Sequence, residues 1–113
     1  DQPLRVLAAE LVREKVLVQT REEVPHAVAV GIDQFHERAR FIRLAATIYV
    51  ERDGQKGIII GSGGGRLKQI GTLARQEMEA LFGRRVHLQL HVKVRPDWRR
   101  SESFLNALDW RRQ

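Results

Sequence analysis

Three consecutive isoleucines, Ile58-Ile59-Ile60, run straight into Gly61-Ser62-Gly63-Gly64, and a basic amphipathic pattern opens at once with Gly65-Arg66-Leu67-Lys68-Gln69-Ile70-Gly71. One regular element cannot carry that order. The glycines must form a turn between an apolar element and the N-terminus of a helix. Glycine there lets a backbone come very close to another group. The unpaired N–H groups and dipole of a helix N-terminus favour a negative one. Lys56, Arg66 and Lys68 lie beside the same backbone and carry the matching charge.

Periodicity places the other elements around this junction. Leu4 to Val18 predicts an amphipathic helix through Leu4, Leu7, Ala8, Leu11, Val12 and Val16, with Pro3 suited to its first turn. Thr20 to Pro25 reads as a connection. His26 to His36 predicts a strand with Val28, Val30 and Ile32 on one face, and Glu37 to Arg40 a turn. Phe41 to Arg52 is a second strand, making an antiparallel hairpin with the first. Asp53-Gly54 breaks it. Gln55 to Ile60 reads either as a strand, on its isoleucines, or as a short helix.

Gly65 to Phe82 predicts a helix that buries Leu67, Ile70, Ala74, Met78 and Leu81, ended by Gly83. Val86 to Arg95 alternates most clearly: Val86, Leu88, Leu90, Val92 and Val94 face the core, while His87, Gln89, His91, Lys93 and Arg95 face out. Pro96-Asp97-Trp98 stops this strand. Ser101 then caps a last helix carrying Phe104, Leu105 and Leu108, and Trp98 and Trp110 flank that helix as core residues. The expected class is α+β, with helices on one face of the sheet and the other face open.

Composition narrows the partners. The 113 residues suit one domain, 1–113, and the lack of an initial Met predicts a piece of a longer protein. Cysteine is absent, which excludes disulfides and thiolate metal sites and fits a cytoplasmic protein. A net charge of +6 and a pI of about 10.7 favour nucleic acid first and an anionic membrane surface second. Between Gly54 and Gln76 the charged residues are Lys56, Arg66, Lys68 and Arg75, all basic. From Arg84 to Arg100 only Asp97 opposes the bases.

Several glycine-loop chemistries fail on spacing. Counted from Gly61, a Walker loop needs Gly-Lys-Ser/Thr where this chain has Arg66-Leu67-Lys68. A dinucleotide fingerprint needs a third glycine where Arg66 stands. A nucleophile elbow at Ser62 needs glycine at Ile60. His87 and His91 share a strand face about 13 Å apart at roughly 3.3 Å per residue, too far for one metal ion. No catalytic constellation emerges. Gly61-x-x-Gly64 remains, the spacing of loops that clamp a nucleic-acid backbone.

Longer stretches carry a resemblance. They are Gln55-Lys56-Gly57-Ile58-Ile59-Ile60-Gly61-Ser62-Gly63-Gly64, Leu67-Lys68-x-Ile70-Gly71-x-x-Ala74-Arg75 and the strand from Val86 to Val94. Arg13-Glu14-Lys15, Glu23-Val24-Pro25, Ala46-Thr47-Ile48-Tyr49-Val50-Glu51-Arg52 and Val92-Lys93-Val94-x-x-Asp97-Trp98-Arg99 agree. Together they resemble the C-terminal type II KH domain of Era-type bacterial GTPases.

The resemblance implies an α-β-β-α-α-β order, a three-stranded mixed sheet with helices on one face, and a helical Gln55 to Ile60, followed by the C-terminal helix. It implies binding of single-stranded RNA near the 3′ end of small-subunit ribosomal RNA during 30S maturation. GTP and Mg would belong to a catalytic domain outside this chain, so this part is not itself an enzyme. The RNA-binding residues by resemblance are Lys56, Ile59, Ile60, Gly61, Ser62, Gly63, Gly64, Arg66 and Lys68, with Ile59 and Ile60 in an apolar groove for bases. The resemblance also implies a cytoplasmic protein whose parent contacts the inner membrane face peripherally. Ser62 stands where this family often has Lys, which removes a phosphate partner that Arg66 is expected to replace. His91 stands where some relatives have Trp. Other readings are a KH domain of another ribosome- or transcription-associated protein, or a protein-interaction module using Gln89 and Lys93 on the open face.

Overall fold

Alternating Ile42, Leu44, Ala46, Ile48 and Val50 make the second strand the spine of the molecule, and all five are fully buried. The computed structural model describes residues 2–20 and 28–108. Its elements are α1 (Gln2–Gln19), β1 (Ala29–Glu37), β2 (Phe41–Val50), α2 (Asp53–Ile60), α3 (Gly65–Phe82), β3 (Arg85–Val94) and α4 (Glu102–Leu108). Single 3-10 turns, Ser62–Gly64 and Trp98–Arg100, precede α3 and α4. The readings placed on Thr20 to Pro25 beyond Thr20, on His26 and on Trp110 lie outside the described residues.

The sheet order is β1-β2-β3. β2 pairs antiparallel with β1 and parallel with β3. The short turn after β1 allows the first arrangement; the α2–α3 crossover enforces the second. Ala8, Leu11, Val12 and Val16 of α1 meet Ile70, Ala74 and Met78 of α3 over one sheet face. Each large apolar side chain buried this way contributes about 1.5–3 kcal/mol. Lys15 Nζ donates to Glu77 Oε1 at 2.7 Å and so ties α1 to α3. The Glu79 carboxylate takes the Val86 N–H at 2.9 Å, just past the helix-ending Gly83, whose φ is 67°.

Two details depart from the periodicity. Leu81, expected in the core, is 57% exposed. The buried stripe steps by four, through Ile70, Ala74 and Met78, so Phe82 takes the next inward place. In β1 the register shifts between Ile32 and Gln34. This bulge moves the inward position to Phe35 and turns the Asp33 carboxylate to accept the Thr47 hydroxyl at 2.6 Å.

The second sheet face is not wholly open. Ser101 Oγ accepts the Phe104 N–H at 3.3 Å and caps α4, as expected. Phe104 then stands edge-on to Tyr49, 4.8 Å between ring centroids, with the Arg95 guanidinium 4.4 Å from its own ring centroid. A Cβ on Gly31 would lie 2.8 Å from Leu108 Cδ2, so the missing side chain lets α4 approach. Trp98 is buried beside this contact, and its Nε1 meets no hydrogen-bond partner among the described residues. Arg43, His87 and Gln89, at the other end of this face, remain exposed.

Candidate nucleic-acid interface

The segment between Gln55 and Ile60 is helical because its N-terminus is capped and its middle isoleucine is buried. Gln55 Oε1 accepts the N–H groups of Glu51 and Arg52, both at 3.0 Å. Ile59 is 0% exposed in the core, and Ile58 and Ile60 pack half-buried against it. Tertiary burial here overrides the strand preference of isoleucine. Ile59 therefore seats α2 from beneath and does not form the groove surface expected of it.

α2 ends when Gly61 N–H bonds to Gly57 O at 2.9 Å and the chain turns at φ 73°, ψ 175°. Gly64 N–H bonds to Gly61 O at 3.1 Å, closing the turn. Gly63 and Gly64 have φ 61° and 79°, in the left-handed region. A Cβ on either would meet nothing within 4 Å, so the outer side of the turn is bare, approachable backbone. Gly61 differs: its Cβ would lie 2.7 Å from Arg66 Cβ. Gly64 has no side chain to cap α3; the Gly65 N–H closes instead on Ser62 O within the turn, and the positive end of the α3 dipole faces the bare glycines.

The charged candidates separate in space. Lys68 is exposed on the groove side of α3, while Lys56 is half-buried on α2. Arg66 folds back, and its Nη1 donates to Ile58 O at 3.0 Å. Ser62 is exposed at the turn.

The groove runs down α3 and not along the isoleucines. Gly64, Lys68, Gly71, Thr72 and Arg75 form one wall of a depression of about 380 Å³. Leu67, Leu88 and Leu90 supply its apolar floor. Leu88 and Leu90 were expected in the core; they stand on an edge strand opposite the bare Gly71 stretch of α3, which leaves them half exposed while Val86 and Val92 stay buried. Sequence reasoning missed Gly71, Thr72 and Arg75 as well. The available signal was Gly71, a mid-helix glycine that costs about 1 kcal/mol against alanine. Its Cβ would stand 3.6 Å from Leu90 Cδ1. A wider hollow of about 690 Å³ lies between α1, β1 and α4; Glu10 and Glu14 outnumber Arg13 among its charged lining, which disfavours phosphate.

Known proteins share this architecture. The family model for the KH domain matches residues 23–99. GTPase Era from Nostoc sp. is 51% identical over 111 residues, covering 98% of this chain and 34% of the relative. GTPase Era from Thermotoga maritima is 52% identical over 106 residues, covering 93% and 35%. The chain thus spans about a third of the length of these curated relatives. A crystal structure of an Aquifex aeolicus Era variant bound to GDP and AlF4− superposes with a TM-score of 0.89 at 47% identity, over 96% of this chain and 37% of that one. A crystal structure of Era with MgGDPNP and nucleotides 1506–1542 of 16S ribosomal RNA gives 0.88 at 47% identity, over 95% and 36%. With the family's model matched over most of its length and the same order of helices and strands around a glycine turn, this chain belongs to the KH domain family.

Proposed function

We propose that this chain is the RNA-binding part of an Era-type GTPase and that it holds single-stranded RNA between the Gly61–Gly64 turn and the α3–β3 groove. The carrying observation is the bare outer backbone at Gly63 and Gly64, set on the uncapped N-terminus of α3. Phosphates approach that backbone and meet the helix dipole. Lys56 and Lys68 add salt-sensitive attraction, and Ser62 borders the path. Bases turn onto Leu67, Leu88 and Leu90, with Ile60 at the rim, Ile59 supporting from below and Arg66 holding the turn. The RNA in this reading lies near the 3′ end of small-subunit ribosomal RNA, a reading supported by the solved Era complex with nucleotides 1506–1542 of 16S ribosomal RNA. The partner is the 30S subunit in the cytoplasm. GTP and Mg belong to the remainder of the parent protein. Membrane contact by the parent is peripheral in this reading; among the described residues no helix is long and apolar enough to cross a membrane.

Fluorescence anisotropy with a short labelled single-stranded RNA tests the clamp, comparing wild type with Ser62→Asp/Gly63→Asp. Aspartate tolerates the left-handed conformation of Gly63 better than most residues, so circular dichroism should stay native. Binding should be lost. For two neutralised phosphates, log K should fall with log salt at a slope of about −1.4 in the wild type. Unchanged affinity in the double variant would refute the clamp.

A further inference from the structure

We infer that the RNA path does not stop at the groove but crosses the β3 edge onto the exposed end of the second sheet face, where Arg43, His87 and Gln89 hold it. The inference rests on the RNA reading above. From Gly64 to Arg75 the groove wall advances roughly 16 Å at about 1.5 Å per residue. At its far end, Arg75 and Leu88 also border a second depression, of about 410 Å³, that passes around the strand edge to Arg43, Ala45, His87 and Gln89. The two hollows thus adjoin, with Arg75 and Leu88 as their shared border.

Strand register explains what this track meets. His36, Arg43 and His87 are lateral neighbours across the sheet, and Gln34, Ala45 and Gln89 form the next row. Ala45 is small and lies low between the two glutamines, which makes a shallow trough. The His87 ring stands edge-on to Phe41 at 5.4 Å between centroids, giving an aromatic platform for a base. Gln34 and Gln89 present amides that match base edges, and Arg43 supplies charge for the backbone. The acids near this end are both paired: Glu37 with Arg84 at 2.8 Å, and Glu79 with Arg75 at 2.9 Å. A platform, amides and a cation in register with an existing groove fit a nucleic-acid strand better than an acidic peptide, which has no bases to stack.

Two labelled single-stranded RNAs test this, one of about four nucleotides, which fills the groove alone, and one of about twelve. Affinities are measured near 0.15 M salt, where screening over about 8 Å keeps distant charge effects small. Arg43→Gln and His87→Ala, each folded by circular dichroism, should bind the longer RNA about tenfold more weakly than wild type. Both should bind the shorter RNA as wild type does. Comparing each variant with wild type on the same RNA removes the statistical advantage of length. Equal losses on both RNAs, or none on either, overturn the extended path while leaving the groove intact. If wild type binds neither RNA, the RNA reading falls and takes this inference with it.

Discussion

Arg66 Nη1 donates to the Ile58 carbonyl at 3.0 Å, crossing the turn at Gly61 to do so. A cation is thereby placed on a last-turn carbonyl of α2, at the negative end of that helix dipole. The residue expected to replace a missing phosphate partner is therefore part of the loop scaffold. Arg66→Ala should lower stability by about 1 kcal/mol and leave the salt dependence of RNA binding nearly unchanged. Lys68→Ala should do the reverse, keeping the urea midpoint and flattening the salt slope by about 0.7. The assignment fails if Arg66→Ala flattens the slope as much as Lys68→Ala at unchanged stability.

The same crossing distinguishes the glycines of the turn. Gly61 combines φ 73° and ψ 175°, a conformation open essentially to glycine alone, with a Cβ position 2.7 Å from Arg66 Cβ. Gly63 has φ 61° and ψ 20°, and its Cβ would enter open space. Gly61→Ala should cost about 3 kcal/mol in urea unfolding and Gly63→Ala about 1 kcal/mol. Equal costs would show that the Arg66 contact relaxes freely.

These two glycines also mark how far sequence reasoning reached. Alternation in Val86 to Val94 and the four-residue stripe Ile70, Ala74, Met78 made the sheet and the main helix legible, because burial periodicity is a local property. The motif at Gly61 to Gly64 located the turn. The groove was not legible. Leu88 and Leu90 carry the same inward pattern as Val86 and Val92, and only sheet order reveals that their strand is an edge. Ile59 and Ile60 are adjacent in sequence, yet one is sealed in the core and the other half exposed, because consecutive residues of a helix point about 100° apart. Docking of α4 onto Tyr49 was hidden as well: it depends on a missing side chain at Gly31, far away in the chain.

Ser62 is exposed at the turn, beside the open Gly63. A lysine there would add one cation without disturbing a buried contact. Ser62→Lys should raise affinity for single-stranded RNA several-fold near 0.1 M salt and steepen the salt slope by about 0.7. Stability should stay within about 0.5 kcal/mol of wild type, as for an exposed substitution. An unchanged slope would place the RNA backbone away from this side of the turn.

Tyr49 gives the packing of α4 a direct optical readout. Burial raises its phenol above the ordinary range, and the nearby Asp33 carboxylate raises it further. Raising the folded value of an acid favours its neutral form in the folded state. Below the unfolded value near 10 both states are neutral, and the stabilisation is fully present. As pH climbs through the higher folded value, that stabilisation is lost. Lys15 acts in the same window, because hydrogen bonds to Glu14 first and Glu77 second hold its ammonium above the usual range. Tyr49→Phe should therefore reduce the alkaline loss of stability without abolishing it. The chain has a single tyrosine, so ultraviolet titration reports this phenol alone. Its midpoint in the native protein should lie above the midpoint in urea and fall back when α4 is removed by truncation after Arg100. A native midpoint at or below the urea value would mean that Phe104 does not shield the ring, and that α4 is not seated on the sheet.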